Sequence, residues 1–206
     1  MGATKAVLID QLSRIDLHKL VIDSKTDLGF LPSKIGLLLL DLPKDYETIR
    51  PILRSAFPRL VTGSIIAFQD YSYQFSNELI AYFEKLEQLR LVTVVGIAAS
   101  SIFYRVSSDN PSAVNWEAAI GDSASEQATL IQNAIAKYKN YKGAREQELI
   151  ALSGAAIRSL IGMQRVATFE QQSSIRALIR YMHEINPART AFVLAELLTE
   201  KLDIEV

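Results

Sequence analysis

Apolar positions follow two different periods along the first half of the chain. Ala6, Ile9, Leu12 and Ile15 recur at helical spacing and predict a short amphipathic helix. Lys19 to Ile22 is a short strand candidate, and Gly36 to Leu40 is another, with four leucines in a row. An unbroken apolar run of this kind predicts a strand buried on both faces, as in a parallel sheet. Tyr46, Ile49, Ile52, Leu53 and Phe57 return to helical spacing, with Pro51 inside, where it should kink the helix or loosen one turn. Ser64 to Phe68 reads as a third strand. Leu79, Ile80, Phe83, Leu86 and Leu89 mark one face of a further helix. Leu91 to Ala98 and Ser101 to Val106 read as two strands joined around Ala99, an antiparallel hairpin at a sheet edge. The expected sheet is mixed and mainly parallel, with 36–41 beside 64–68.

The texture changes at the Ser/Asp/Asn/Pro stretch from Ser107 to Asn115, which reads as a linker. Beyond it the pattern is helical throughout. Ser123 and Glu126 have capping-box spacing and open a helix to about Lys142, ended by Gly143. A second helix spans about Arg145 to Ile161 with Leu149, Leu152, Ala156 and Leu160 inward. Thr168 and Gln171 open a third, through Ile175, Leu178, Ile179 and Met182. Asn186 caps a fourth with Pro187 at its first position and an apolar face of Ala191, Leu194, Ala195, Leu198 and Leu202. The expectation is an array of helical hairpins, close to a four-helix bundle.

Composition narrows the function classes. The 206 residues are 49% hydrophobic and 22% charged, with a formal net charge of -1. That balance fits a globular chain and gives no broad electrostatic footprint for nucleic acid or an anionic membrane. With no cysteine, disulfides, thiolate metal sites and cysteine nucleophiles are excluded. The longest apolar block is strand-sized, and Asp10 and Arg14 interrupt any signal-like region, so a cytoplasmic protein is expected. His183 near a helix end and Trp116 among apolar residues read as structural. Lys137, Tyr138, Lys139, Tyr141 and Lys142 mix aromatics with positive charge. A solvated helix face is the expected reading there, ahead of a phosphate contact.

Candidate chemistry lies at the ends of the strands. Asp23, Asp41 and Asp70 each follow a predicted strand, and in an open α/β sheet ligands bind beyond the carboxyl ends of the strands. Two carboxylates on that rim suit a hard cation such as Mg²⁺, which takes oxygen ligands and acidifies a bound hydroxyl. The alternative is that each aspartate starts a turn or caps a helix.

Four segments also resemble a known family. IGLLLLDLPKDYETIRPIL (35–53) is similar to the fourth strand and following helix of class I S-adenosylmethionine-dependent methyltransferases, in the branch of macrocin-type and other small-molecule O-methyltransferases. Asp41 and Tyr46 match its acidic residue and tyrosine. FPRLVTGSIIAFQDY (57–71) resembles the next strand passage, with Gly63, Asp70 and Tyr71 as matches. VTVVGIAASSIFYRV (92–106) resembles the last two strands, and KLVIDSK (19–25) the end of the third. The resemblance implies a partial Rossmann-like methyltransferase sheet in residues 1–106, a linker at 107–115 and an α-helical domain at 116–206. It also implies catalytic and metal roles for Asp41 and Asp70, and S-adenosylmethionine contacts for Asp23, Ser24 and Asp41.

The sequence departs from that family in three ways. It contains no Gly-x-Gly-x-x-Gly loop, so the cofactor-binding first half has no counterpart here. Pro43 and Lys44 stand where an Asp-His pair is usual, and Gln69 precedes Asp70 where histidine or aspartate is common. The implied function is ancestral O-methylation of a small molecule by S-adenosylmethionine, incomplete in this chain. The alternative is a non-catalytic interaction or assembly module on a degenerate methyltransferase sheet. Either way, a homodimer or a partner chain is expected to supply the missing sheet strands.

Overall fold

The computed structural model describes residues 31, 33–41, 45–121, 123–141, 145–161 and 169–202. The predicted helix at 6–15, the predicted strand at 19–22, and Asp23 and Ser24 lie outside the described residues. The described chain is α/β: a four-stranded mixed sheet, two helices interleaved with its strands, and four further helices after it. Among the described residues no helix is long and apolar enough to cross a membrane.

Strand β1 (Ile35–Leu40) pairs in parallel with β2 (Leu60–Phe68), as the two leucine- and isoleucine-rich runs predict. Helix α1 (Tyr46–Ser55) makes the crossover that a parallel pair requires. Asp45 caps it: its Oδ1 accepts from the Thr48 N–H at 2.8 Å, while Thr48 Oγ1 faces back to the Asp45 N–H at 3.5 Å. Pro51 sits inside the helix on an exposed position, and Ile49 and Leu53 turn inward. At the start of β2 the ladder is irregular. Gly63 takes φ +87°, a left-handed conformation that suits glycine, and the Ser64 hydroxyl donates to the Ile35 carbonyl at 2.6 Å. The side chain replaces backbone bonds that the shifted register loses, which is why pattern alone places the start of this strand four residues late.

Helix α2 (Asn77–Gln88) leads to β3 (Val92–Ala98) and β4 (Ser101–Val106), the predicted antiparallel hairpin. The strand order is β1-β2-β4-β3, so β4 inserts between β2 and β3 and runs antiparallel to both. The expectation of a mainly parallel sheet is therefore corrected. Among the described residues one of the three pairings is parallel, because the two-residue turn at Ala99–Ser100 obliges its strands to run in opposite directions.

The leucine run is also corrected. Leu38 and Leu40 face the helices at 8% and 2% exposure, but Leu37 and Leu39 are 53% and 44% exposed. Among the described residues β1 has neighbours on one face, so a continuous apolar run does not establish burial on both.

The second half is helical, as its period predicts. It comprises α3 (Ala124–Lys139), α4 (Glu146–Ile161), α5 (Phe169–Ile185) and α6 (Pro187–Leu202). Two caps form where the sequence places them. The Glu126 N–H donates to Ser123 Oγ at 3.1 Å, and the Arg189 N–H to Asn186 Oδ1 at 3.0 Å. The reciprocal half of the Ser123 capping box is missing because Glu126 turns instead to Lys85 of α2 at 2.6 Å.

The fourth predicted helix face is rotated. Thr190, Val193 and Leu197 are buried, whereas Ala191 and Ala195 are exposed and Leu198 is 64% exposed. Seven apolar residues from Ala191 to Leu198 surround most of this helix, so period fixes its type but not its phase.

Residues 107–115 join the halves across a shared interior. One buried cluster runs from Leu38, Ile66, Phe68 and Tyr104 of the sheet through Leu79 and Phe83 of α2 to Ile131, Tyr138 and Leu152 of α3 and α4. Pro111 and Trp116 are themselves buried. Trp116 Nε1 donates to the Pro111 carbonyl at 3.0 Å, the Trp116 carbonyl accepts from the Tyr82 hydroxyl at 3.0 Å, and its ring meets Phe57 edge-on at 5.2 Å.

Helix α4 is central to the helical half. It contacts α2, α3, α5 and α6 and is buried over most of its circumference. Gly154 makes this approach possible, since a methyl group there would lie 2.7 Å from Val193 Cγ1 and 3.2 Å from Gln74 Cβ. Glycine costs the helix about 1 kcal/mol against alanine, but the fit of α6 requires it. We predict that Gly154→Val destabilises the protein by about 2–3 kcal/mol through overpacking, measured as a lower urea midpoint with the slope unchanged.

Candidate functional site

The rim at the carboxyl ends of β1 and β2 is assembled by backbone hydrogen bonds. The Gln69 N–H donates to the Leu40 carbonyl at 2.8 Å, which continues the β1–β2 ladder one step past the strands. Asp41 and Asp70 therefore leave adjacent parallel strands on the same rim. Asp41 is exposed and Asp70 half-buried. Asp70 adopts φ +56°, a left-handed conformation that aspartate tolerates better than most residues, and its carbonyl accepts from the Tyr73 N–H at 3.0 Å to close a turn.

The β3–β4 turn completes this edge. Because Phe68 pairs with Ile102, Ala99 and Ser100 come to the same end of the sheet, and the Ser72 N–H donates to the Ser100 carbonyl at 3.4 Å. From α3 the Tyr138 hydroxyl donates to the Ala99 carbonyl. Burial is the first cause that pushes the Tyr138 pKa up to about 12, so at neutral pH it is a fixed neutral donor.

The sequence-derived site residues separate into those at the rim and those turned away from it. Asp41 and Asp70 both lie on the rim, after adjacent strands. Tyr71, matched to the family's aromatic, is fully buried and points into the core, where its hydroxyl donates to Glu84 Oε1 at 2.6 Å. Tyr46 opens α1, the helix that follows β1: its N–H donates to Glu78 Oε2 at 2.6 Å and its hydroxyl accepts from the Gly121 N–H at 3.3 Å. Among the described residues no group of three or more histidine or acidic side chains could hold a metal. A cation at Asp41 and Asp70 would thus depend on two carboxylates and solvent, a donor set of the type Mg²⁺ accepts because it keeps several waters. A shallow depression of about 440 Å³ is lined by Arg145, Glu146, Gln147, Ile150, Asn186 and Arg189, and neither rim aspartate contributes to it.

Behind the rim lies a polar cluster that the sequence reading missed. Glu84 of α2 is 3% exposed and accepts from both Tyr71 and Lys137 Nζ, the latter at 2.5 Å. Lys137 of α3 also pairs with Glu87. Burial raises the Glu84 pKa, and the Lys137 charge opposes that rise. Tyr71 is raised well above the ordinary phenol value, by burial first and then by Tyr104 and Glu84. The available signal was an acidic residue inside the apolar run Leu79 to Leu86.

The expected solvated face holds at Lys139, which is exposed, and is corrected at Lys137 and Tyr138, while Lys142 lies outside the described residues. Lys137 is spent on Glu84 and Glu87, Tyr138 is buried, and Lys139 lies over the Tyr181 ring of α5 at 5.6 Å from its centroid. Lys137 and Tyr138 tie α3 to α2 and to the β3–β4 turn.

No family model matches the chain, and no curated protein or solved structure is similar to it.

The cluster yields a pH-dependent prediction. Lys137→Met leaves a buried carboxylate without its cation and should destabilise the fold by about 3 kcal/mol at neutral pH. The variant's Glu84 pKa rises further in the folded state. A raised carboxyl pKa gives stability that is complete at low pH and is lost as pH climbs through the folded value. The gap between variant and wild type should therefore narrow as the pH is lowered to about 5. Lys137→Met combined with Glu84→Gln should recover most of the loss at neutral pH. Urea unfolding at several pH values checks all three statements.

Proposed function

We propose that the chain is methyltransferase-like and carries the substrate- and metal-facing half of a site for O-methylation of a small hydroxylated molecule by S-adenosylmethionine. The observation that supports this reading is the pair Asp41 and Asp70, set on one rim by the Gln69–Leu40 hydrogen bond between parallel strands. Strand ends of this kind are where open α/β sheets bind ligands.

In this reading Asp41 and Asp70 hold Mg²⁺, which would supply a lowered pKa to a substrate hydroxyl. Asp70 is fixed for that role by its turn to Tyr73, and Asp41 by its place after the last paired residue of β1. Asp23, Ser24 and Asp41 are the residues proposed to face the cofactor, with Asp23 and Ser24 outside the described residues. The sequence has no glycine-rich loop for the cofactor's amino-acid end, so the chain alone is expected to bind S-adenosylmethionine weakly or not at all.

A second reading, a non-catalytic interaction module, draws on the absence of that loop together with the exposed leucines of β1. The two differ in what the rim does. The methyltransferase-like reading expects Mn²⁺, titrated by calorimetry as a Mg²⁺ substitute, to bind the wild type. It expects Asp41→Asn and Asp70→Asn each to weaken that binding by about tenfold or more, the equivalent of about 1.4 kcal/mol. Affinity unchanged in both variants would remove the metal role and leave the interaction module as the better reading.

A further inference from the structure

The rim turn that carries Asp70 is held from outside the sheet, and two of its holds come from one helix of the second half. Asp70 has a φ of +56°, a left-handed conformation that a residue other than glycine keeps where its surroundings enforce it. The next two residues carry the constraints. Tyr71 is fully buried, and its hydroxyl donates to Glu84 Oε1 at 2.6 Å. Lys137 Nζ donates to the same oxygen at 2.5 Å and also pairs with Glu87. The Ser72 N–H donates to the Ser100 carbonyl at 3.4 Å. Ala99, beside Ser100 and itself left-handed at φ +51°, accepts from the Tyr138 hydroxyl.

Consecutive residues of α3 thus serve consecutive residues of the turn, by separate routes. Lys137 reaches Tyr71 through Glu84 of α2, and Tyr138 reaches Ser72 through the β3–β4 turn. Tyr71 and Tyr138 are both buried, so water does not compete for their hydroxyls. Hydrogen bonds are directional. One bond fixes a point on the turn and leaves it free to rotate, whereas bonds at two successive residues also fix its rotation. The side chain of Asp70, one residue earlier, inherits that orientation.

We propose that α3 is a clamp on the rim turn, with Lys137 and Tyr138 as positioning residues that aim the Asp70 carboxylate. The inference rests on the reading of the rim as a cation site, and it gives the helical half a part in that site through neighbours of the ligating residue. A carboxylate whose orientation is fixed by its outer shell loses less freedom on taking up a metal, and binds it more tightly.

Calorimetric titration of the full 206-residue chain with Mn²⁺ tests this. Tyr71→Phe and Tyr138→Phe each delete one hydroxyl and keep the ring. Each should weaken Mn²⁺ binding by about tenfold, the low end of what removing an outer-shell partner of a metal ligand costs. Trp116 emission and circular dichroism should stay those of the wild type. Val92→Ala separates aiming from a general loss of stability. Val92 is buried, and its pairing with Val106 puts it at the end of the sheet opposite the rim. Its truncation should lower the urea midpoint and leave Mn²⁺ affinity unchanged. Unchanged affinity in either tyrosine variant overturns the inference, and so does an equal loss of affinity in Val92→Ala. If Asp41→Asn and Asp70→Asn weaken Mn²⁺ binding and the tyrosine variants do not, the rim reading stands and the clamp falls. A wild type that binds no Mn²⁺ overturns both.

Discussion

Helix α2 has no solvent face over most of its length, and the rest of the structure follows from that. Leu79, Ile80, Ala81, Tyr82, Phe83, Glu84 and Leu86 are all buried. Burial on every side of a helix requires partners on every side. The sheet supplies one through Phe68 and Tyr104, which stack against Phe83 at 5.3 Å and 5.0 Å. Helices α3 and α4 supply others. A sheet-only or helix-only fragment of this chain would expose one side of α2. The two halves differ in texture, but this helix makes them share an interior.

A helix buried in this way must also dispose of its polar side chains. Glu84 does so with Tyr71 from the rim turn and Lys137 from α3. Asn77 does so with Ser159 at 3.1 Å and with Arg158 of α4, whose guanidinium also reaches the Phe75 carbonyl at 3.2 Å. Glu84 and Asn77 are thus matched to different neighbours. Apolar contacts tolerate sliding, whereas these hydrogen bonds fix the rotation of α2 relative to the rim turn on one side and the helices on the other. The position of Asp70, one residue before Tyr71, depends on that fixing.

Local chemistry was legible in the sequence and long-range matching was not. The Ser123 and Asn186 caps, the hairpin at Ala99 and the pairing of the leucine run with Ser64–Phe68 all depend on residues close together or on one clear period. The errors share a cause as well. Four leucines do not say how many faces have neighbours, and a helix apolar on most sides does not say which side faces in. Lys137 looked solvated because its acidic partners lie fifty and fifty-three residues away. For the rim, the strand ends put Asp41 and Asp70 on one edge of the sheet, but nothing local revealed that Tyr71 turns inward to Glu84.

Trp116 is the single tryptophan of the chain, and it sits at the seam where sheet and helices meet. Its indole is enclosed by Phe57 and bonded to the Pro111 carbonyl, while Tyr82 of α2 is bonded to its own carbonyl. The protein consequently carries an optical probe at its own junction. Emission from this one fluorophore reports whether the seam is closed: blue-shifted while the indole is shielded, and red-shifted once water reaches it, even where the helices on either side keep their far-ultraviolet signal.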